Sequence, residues 1–181
     1  MKHRNNLIHE AISFATLKHA EQKRKGSGLP YITHPMEVMQ ILSANGCSEK
    51  VIIAGILHDT LEDTKTTHDE IRELFGDDIL KIVCAESEDK SKTWKERKQT
   101  TINNLDNCSL EEKSVCLADK LANLRSTVSD VKTIGEDLWN RFKAPKDDIE
   151  WYYRNVFAKL SELSGTKMYA EYRELLGVVF G

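Results

Sequence analysis

Apolar residues along this chain recur at spacings of three and four rather than two, the pattern of helices that each bury one face. Leu7, Ile8, Ala11, Ile12, Phe14 and Ala15 open a first helix expected to run to about Glu21. A basic loop, KRKGSGLPY, follows. Pro35 suits a first helical position, where a missing N–H costs no helical hydrogen bond, so MEVMQILSAN is expected to form a second helix that ends at Gly46. Ser48 is a candidate N-cap for a third helix that carries VIIAGIL. Thr67 with Glu70, and Ser109 with Glu112, stand at the spacing of reciprocal hydroxyl–carboxylate caps. They open HDEIRELF, stopped by Gly76, and LEEKSVCLADKLANLRSTV. Between these lie DDILKIVCAES and the charged KTWKERKQTTINNL; after Pro145, DDIEWYYRNVFAKLSEL and MYAEYRELLGVVF add two more amphipathic patterns. No repeat, low-complexity tract or linker intervenes, so residues 1–181 are read as one all-α domain.

Composition narrows the function classes. Lys and Arg number 26 against 29 Asp and Glu, a formal net charge of −3, so the basic excess of a general nucleic-acid binder is missing and neither DNA nor RNA is expected as a partner. A small anionic ligand remains compatible, provided basic residues gather locally. No run approaches the roughly 20 apolar residues of a membrane span, and His9, Glu10 and Lys18 break the apolar positions of the N-terminus. A cytoplasmic protein with no membrane partner is therefore expected. Cys47, Cys84, Cys108 and Cys116 are widely separated with no C-x-x-C pair, which suggests core packing in a reducing compartment. Oligomeric state is left open.

The candidate chemistry starts in GILHDTLEDT, residues 55 to 64, where His58, Asp59, Glu62 and Asp63 follow an apolar run. Residues three and four apart share a helix face, so Glu62 lies one turn beyond His58 and Asp59, and Asp63 one turn beyond Asp59. Adjacent His58 and Asp59 point about 100° apart on a regular helix, so joint ligation of one ion requires a helix end or flank. Three carboxylates beside a histidine repel one another unless a cation compensates. Two distant features extend the set. His34 stands in PYITHP, and Asp119 stands among Val115, Cys116, Leu117, Ala118 and Leu121, where a partly buried carboxylate needs a partner. Two imidazoles and two carboxylates make a mixed nitrogen and oxygen set suited to Mn²⁺, Fe²⁺ or Zn²⁺, with positions left for water and a phosphate oxygen. The plainer reading of HDTLED is a solvated helix end whose acids face water.

The ordered set of His34, His58-Asp59 in HDxxED, and Asp119 resembles the H…HD…D signature of HD-domain metal-dependent phosphohydrolases. More narrowly, GSGLPYITHPMEV, AGILHDTLEDT with DEIRELFGDDI behind it, and LADKLANLRS are similar to the hydrolase domain of RelA/SpoT-type alarmone enzymes and their stand-alone small relatives. The resemblance runs from about residue 5 to residue 160. It implies an HD-domain helical bundle, one divalent ion, foremost Mn²⁺, and removal of the 3′-pyrophosphate from (p)ppGpp to give GDP or GTP plus pyrophosphate. Carried over, it makes His34, His58, Asp59 and Asp119 the metal ligands, and Glu62 and Asp63 the acidic pair that activates water. Arg24, Lys25 and Ser27 fall in the family's substrate loop, and Asn123 matches its asparagine four residues after the last ligand. No synthetase domain is indicated.

The chain departs from the alarmone hydrolases at CAESEDKSKTWKERKQ, where they carry a turn resembling GVTK. Lys90, Lys92, Arg97 and Lys98 there are candidates for a phosphate site or a solvated helix face, and Tyr152-Tyr153 for base stacking or core packing. Two other functions stay open: an HD enzyme acting on another nucleotide phosphoester, and a non-catalytic nucleotide sensor. Intact acids and ligands speak against the sensor.

Overall fold

The protein is described by a computed structural model covering residues 7–181. It contains ten α-helices among the described residues, joined by short 3₁₀ turns, and its only bridge between extended segments there links Lys23 to Pro30. The chain divides into two compact units, residues 1–87 and 88–181.

In the first unit α1 spans Leu7–Lys18, α2 Thr33–Ala44, α3 Glu49–Leu57, α4 Thr60–Asp63, α5 His68–Phe75 and α6 Asp77–Ala85. Helix α3 is the hub, packed by α1, α2 and α6. That is why VIIAGIL is apolar on nearly every side: Val51, Ile53, Ala54, Gly55, Ile56 and Leu57 are all buried. Helix α2 begins two residues before Pro35, and the proline still falls within the first turn, whose N–H groups have no helical acceptor. Thr67 and Glu70 form the expected reciprocal cap, and Gly76, at φ 89°, ends α5.

Gly55 sets how closely α3 approaches α2. A Cβ there would run into Leu42 Cδ1 and stand 3.2 Å from Val38 Cγ1. Gly55→Ala is therefore expected to destabilise the fold by about 1–3 kcal/mol, the usual cost of overpacking a filled core. A urea titration beside the wild type measures it, and unchanged stability would show that Leu42 yields freely.

In the second unit α7 spans Trp94–Asn104, α8 Leu110–Ile134, α9 Lys146–Lys159 and α10 Lys167–Phe180. Helix α10 packs on α8 and α9, and α7 on α9. Ser109 and Glu112 cap α8 as expected. Thr93 and Glu96 do the same for α7, a cap the charged sequence around it concealed. Tyr152 is buried in this unit and Tyr153 stacks on Tyr172, so the tyrosine pair serves packing.

Arg97 and Lys98 are neither a solvated face nor exposed phosphate hooks. Both grip Glu88, at 3.1 and 2.7 Å, and Thr101 adds a hydroxyl to it. Burial works against charge on Glu88, but Lys98 beside it, with help from Lys120 and Thr101, holds its carboxyl below the ordinary glutamate range. Of the four cysteines, Cys116 alone is buried and the others are half-buried; no two are disulfide-linked. Burial pushes the Cys47 and Cys84 thiols up, which keeps them protonated and poorly reactive. Among the described residues no helix is long and apolar enough to cross a membrane.

Candidate metal centre

The apolar third helix stops at Leu57, and His58 and Asp59 occupy the break before the single turn of α4. The backbone stays right-handed there, with φ −53° at His58 and −90° at Asp59, but the regular ladder lapses. Thr60 donates its hydroxyl to the Leu57 carbonyl at 2.6 Å, and Thr64 donates to Thr60 at 2.7 Å, so local hydroxyls satisfy carbonyls at the break. Leaving the helix here lets two neighbouring side chains turn toward one point, as an unbroken helix would not.

His34 reaches the same point from the first turn of α2. Each of His34, His58 and Asp59 offers a ligand atom within 4.8 Å of the other two. His34 Nε2 lies 3.6 Å from Asp59 Oδ2, and His58 Nε2 lies 3.0 Å from the same oxygen. The imidazoles are almost wholly buried, their centroids 5.1 Å apart and their planes 68° to each other.

Hydrogen bonding fixes the donors. His58 Nδ1 stands 2.8 Å from the Gly55 carbonyl, which can only accept, so Nδ1 carries the proton and Nε2 presents its lone pair. That lone pair faces a carboxylate oxygen at 3.0 Å. Two acceptors so close repel unless a proton or a cation lies between them. Ligand bonds of about 2.0–2.2 Å put neighbouring donors about 3 Å apart and opposite ones about 4.2 Å apart. The separations of both imidazole nitrogens from Asp59 fall in that interval, so the trio fits a divalent ion. Tyr31 donates its hydroxyl to Asp59 Oδ2 at 2.6 Å, an outer hydrogen bond that turns the carboxylate toward the histidines.

One turn on, Glu62 is half-buried and Asp63 exposed, both on α4. The basic loop closes on itself: Arg24 N–H donates to Leu29 O and Gly28 N–H to Arg24 O, with Gly26 and Gly28 at φ 98° and 69°. Lys25 and Ser27 are exposed on it, while the Arg24 guanidinium lies 5.8 Å from the Tyr31 ring centre. In the second unit Asp119 is buried on α8, paired with Lys120 and accepting from Asn123 Nδ2 at 2.7 Å. The expected partner of this buried acid is thus supplied in part by its own helix. Sequence reasoning passed over Tyr31 and Gln22, although both lie close to His34 in the chain. Their relevance depends on how the loop closes.

An all-helical unit with a buried pair of histidines and a carboxylate arranged for a divalent ion defines a metal-binding helical fold. The comparisons narrow it: residues 11–160 match the HD domain, and the chain belongs to that family. It is 38% identical over 168 residues, 91% of this chain and 89% of the relative, to guanosine-3′,5′-bis(diphosphate) 3′-pyrophosphohydrolase MESH1 of Xenopus tropicalis. A solved metazoan ortholog of SpoT, described as hydrolysing ppGpp, matches with a TM-score of 0.81 and 30% identity over 98% of both chains. A Listeria monocytogenes EGD-e crystal structure matches with a TM-score of 0.76 and 35% identity, covering 81% of this chain and 98% of that one.

Proposed function

We propose that the chain is a divalent-metal-dependent phosphohydrolase that removes the 3′-pyrophosphate of (p)ppGpp, giving GDP or GTP and pyrophosphate. The observation that carries the reading is the convergence of His34, His58 and Asp59 with an acidic pair one turn beyond, in a chain similar along most of its length to a hydrolase of that substrate. Both units are read as one HD-type domain because the family match runs from 11 to 160.

His34, His58 and Asp59 would hold the ion, and Asp119 is proposed as the fourth ligand from the family pattern. The mixed nitrogen and oxygen donors suit Mn²⁺ foremost, with Fe²⁺ or Zn²⁺ as alternatives. When bound, such an ion supplies Lewis acidity toward phosphoryl oxygens and lowers the pKa of water. Tyr31 keeps Asp59 turned inward, and the Gly55 carbonyl keeps His58 in the tautomer that ligates. Glu62 and Asp63 orient the attacking water and take its proton. The water oxygen bonds to the phosphorus attached to O3′, the P–O3′ bond breaks, and the leaving oxygen takes up a proton. Arg24, Lys25 and Ser27 are proposed to hold the nucleotide's phosphates through charge-assisted contacts, with Asn123 contacting ribose or phosphate while holding Asp119. A reducing cytoplasm suits the unlinked cysteines.

The test is product analysis of Mn²⁺-loaded protein against a nucleotide panel in ¹⁸O-labelled water. The proposed reaction yields labelled pyrophosphate and a free 3′-hydroxyl. Orthophosphate as the sole inorganic product would select a nucleotidase, and no turnover on any nucleotide would select a sensor.

A further inference from the structure

We infer that His19 and Gln22, in the turn that follows α1, are positioning residues that hold Asp63 in place for hydrolysis. The inference rests on reading Asp63 as one of the two water-activating acids. Helix α4 is a single turn, and Thr64 after it is extended at φ −129° and ψ −172°, so the Asp63 carbonyl has no helical N–H to accept from. Gln22 fills that role, its Nε2 donating to Asp63 O across 41 positions of sequence. The same side chain meets His19 Nδ1 through Oε1 at 2.7 Å. A carbonyl cannot donate, so Gln22 must present its nitrogen to Asp63 and its oxygen to His19. His19 Nδ1 must then carry the proton. The order of donors along the tether is thereby fixed.

The imidazole that anchors this tether is itself buried. His19 is 1% exposed, its ring packs on Tyr31 at 5.0 Å between centroids, and its Nε2 is buried with no hydrogen-bond partner among the described residues. A buried nitrogen without a partner costs stability, whereas the ring it belongs to braces two functional groups at once. Tyr31 N–H donates to Gln22 O at 2.9 Å, closing the base of the basic loop, and the Tyr31 hydroxyl holds Asp59. One buried ring therefore backs both the side chain that orients a metal ligand and the one that pins the acid-bearing turn. The contacts of all three lead to Asp59 and Asp63, and they act through those two residues.

Gln22→Met keeps the length of the side chain and removes both hydrogen bonds. It is expected to lower kcat by about 10-fold to 10²-fold, the scale of misplacing a reacting group by an ångström or less, while KM and Mn²⁺ affinity stay within about 2-fold. Amide hydrogen exchange of residues 60–64 should quicken in the same variant without metal or nucleotide present. His19→Leu should reproduce both effects, and His19→Asn, whose amide nitrogen stands where Nδ1 does, should restore most of kcat. Should Gln22→Met fold poorly, Gln22→Glu, which keeps the acceptor toward His19 and loses the donor to Asp63, takes its place. Unchanged exchange at residues 60–64 would overturn the tether. Faster exchange with normal kcat, or a loss of Mn²⁺ affinity matching the loss of kcat, would overturn its role in positioning Asp63. A wild-type protein that hydrolyses no nucleoside 3′-pyrophosphate would instead fail the functional reading, and the exchange data would still judge the tether.

Discussion

His58→Ala is expected to lose both the ion and the reaction. Loss of an outer-sphere partner typically costs roughly 10- to 100-fold in metal affinity, and removal of a buried ligand whose tautomer is fixed by a backbone carbonyl should cost more. His58 is 1% exposed, with Nε2 3.0 Å from Asp59, so its nitrogen is held at the site by the core around it. Titration of the metal-free protein with Mn²⁺ measures the affinity directly. Thermal melts offer a second reading: metal that binds only the folded state raises the wild-type midpoint by mass action, and the variant's midpoint should not move. Asp119→Ala, titrated alongside, decides the fourth ligand, since undiminished occupancy would remove that residue from the set. Equal Mn²⁺ affinity in wild type and His58→Ala would sink the proposed centre outright.

Glu62→Gln and Asp63→Asn should separate chemistry from binding. Each keeps the side chain's shape and removes its charge. Turnover should fall on the order of 10²-fold or more, the scale of general acid–base catalysis, with metal and nucleotide affinities nearly kept. The geometry favours this split because both acids lie on α4, past the break that holds His58 and Asp59, and Asp63 is exposed. Near-normal kcat in both variants would leave the attacking water without a base among these residues and return the acids to a solvated helix turn.

The helices were legible because their signals are local. Period, glycine stops and the hydroxyl–carboxylate spacings at Thr67 and Ser109 each depend on neighbours within one turn, and the structure repeats them. The break after Leu57 was legible only as a requirement of joint ligation by His58 and Asp59, not from a local signal. No glycine or proline marks it, and the chain leaves the ladder while its backbone angles stay helical, held by threonine hydroxyls whose partners appear only once the turn exists. The convergence of His34 with His58 and Asp59 could be read from the motif resemblance, since 24 positions separate the histidines and no periodicity connects them. Arg97 and Lys98 were misjudged for a related reason: a charge run reads as solvated unless the carboxylate that neutralises it is known, and Glu88 sits nine and ten positions earlier. Tyr31 and Gln22 carry ordinary polar side chains in an irregular loop. Their partners are fixed by tertiary closure, which no local pattern records.

The break after Leu57 also divides the chain by tolerance to change. Upstream, every residue from Ile53 to Leu57 is buried, and a substitution there must be absorbed by three neighbouring helices. Downstream, the four residues of α4 end in an exposed aspartate, and the turn hangs from the core by a few hydrogen bonds. Exchanging the exposed Asp63 is therefore expected to cost the fold little. This makes the turn the place where a single exchange is expected to silence the protein while leaving its scaffold intact, the form wanted for trapping a bound nucleotide.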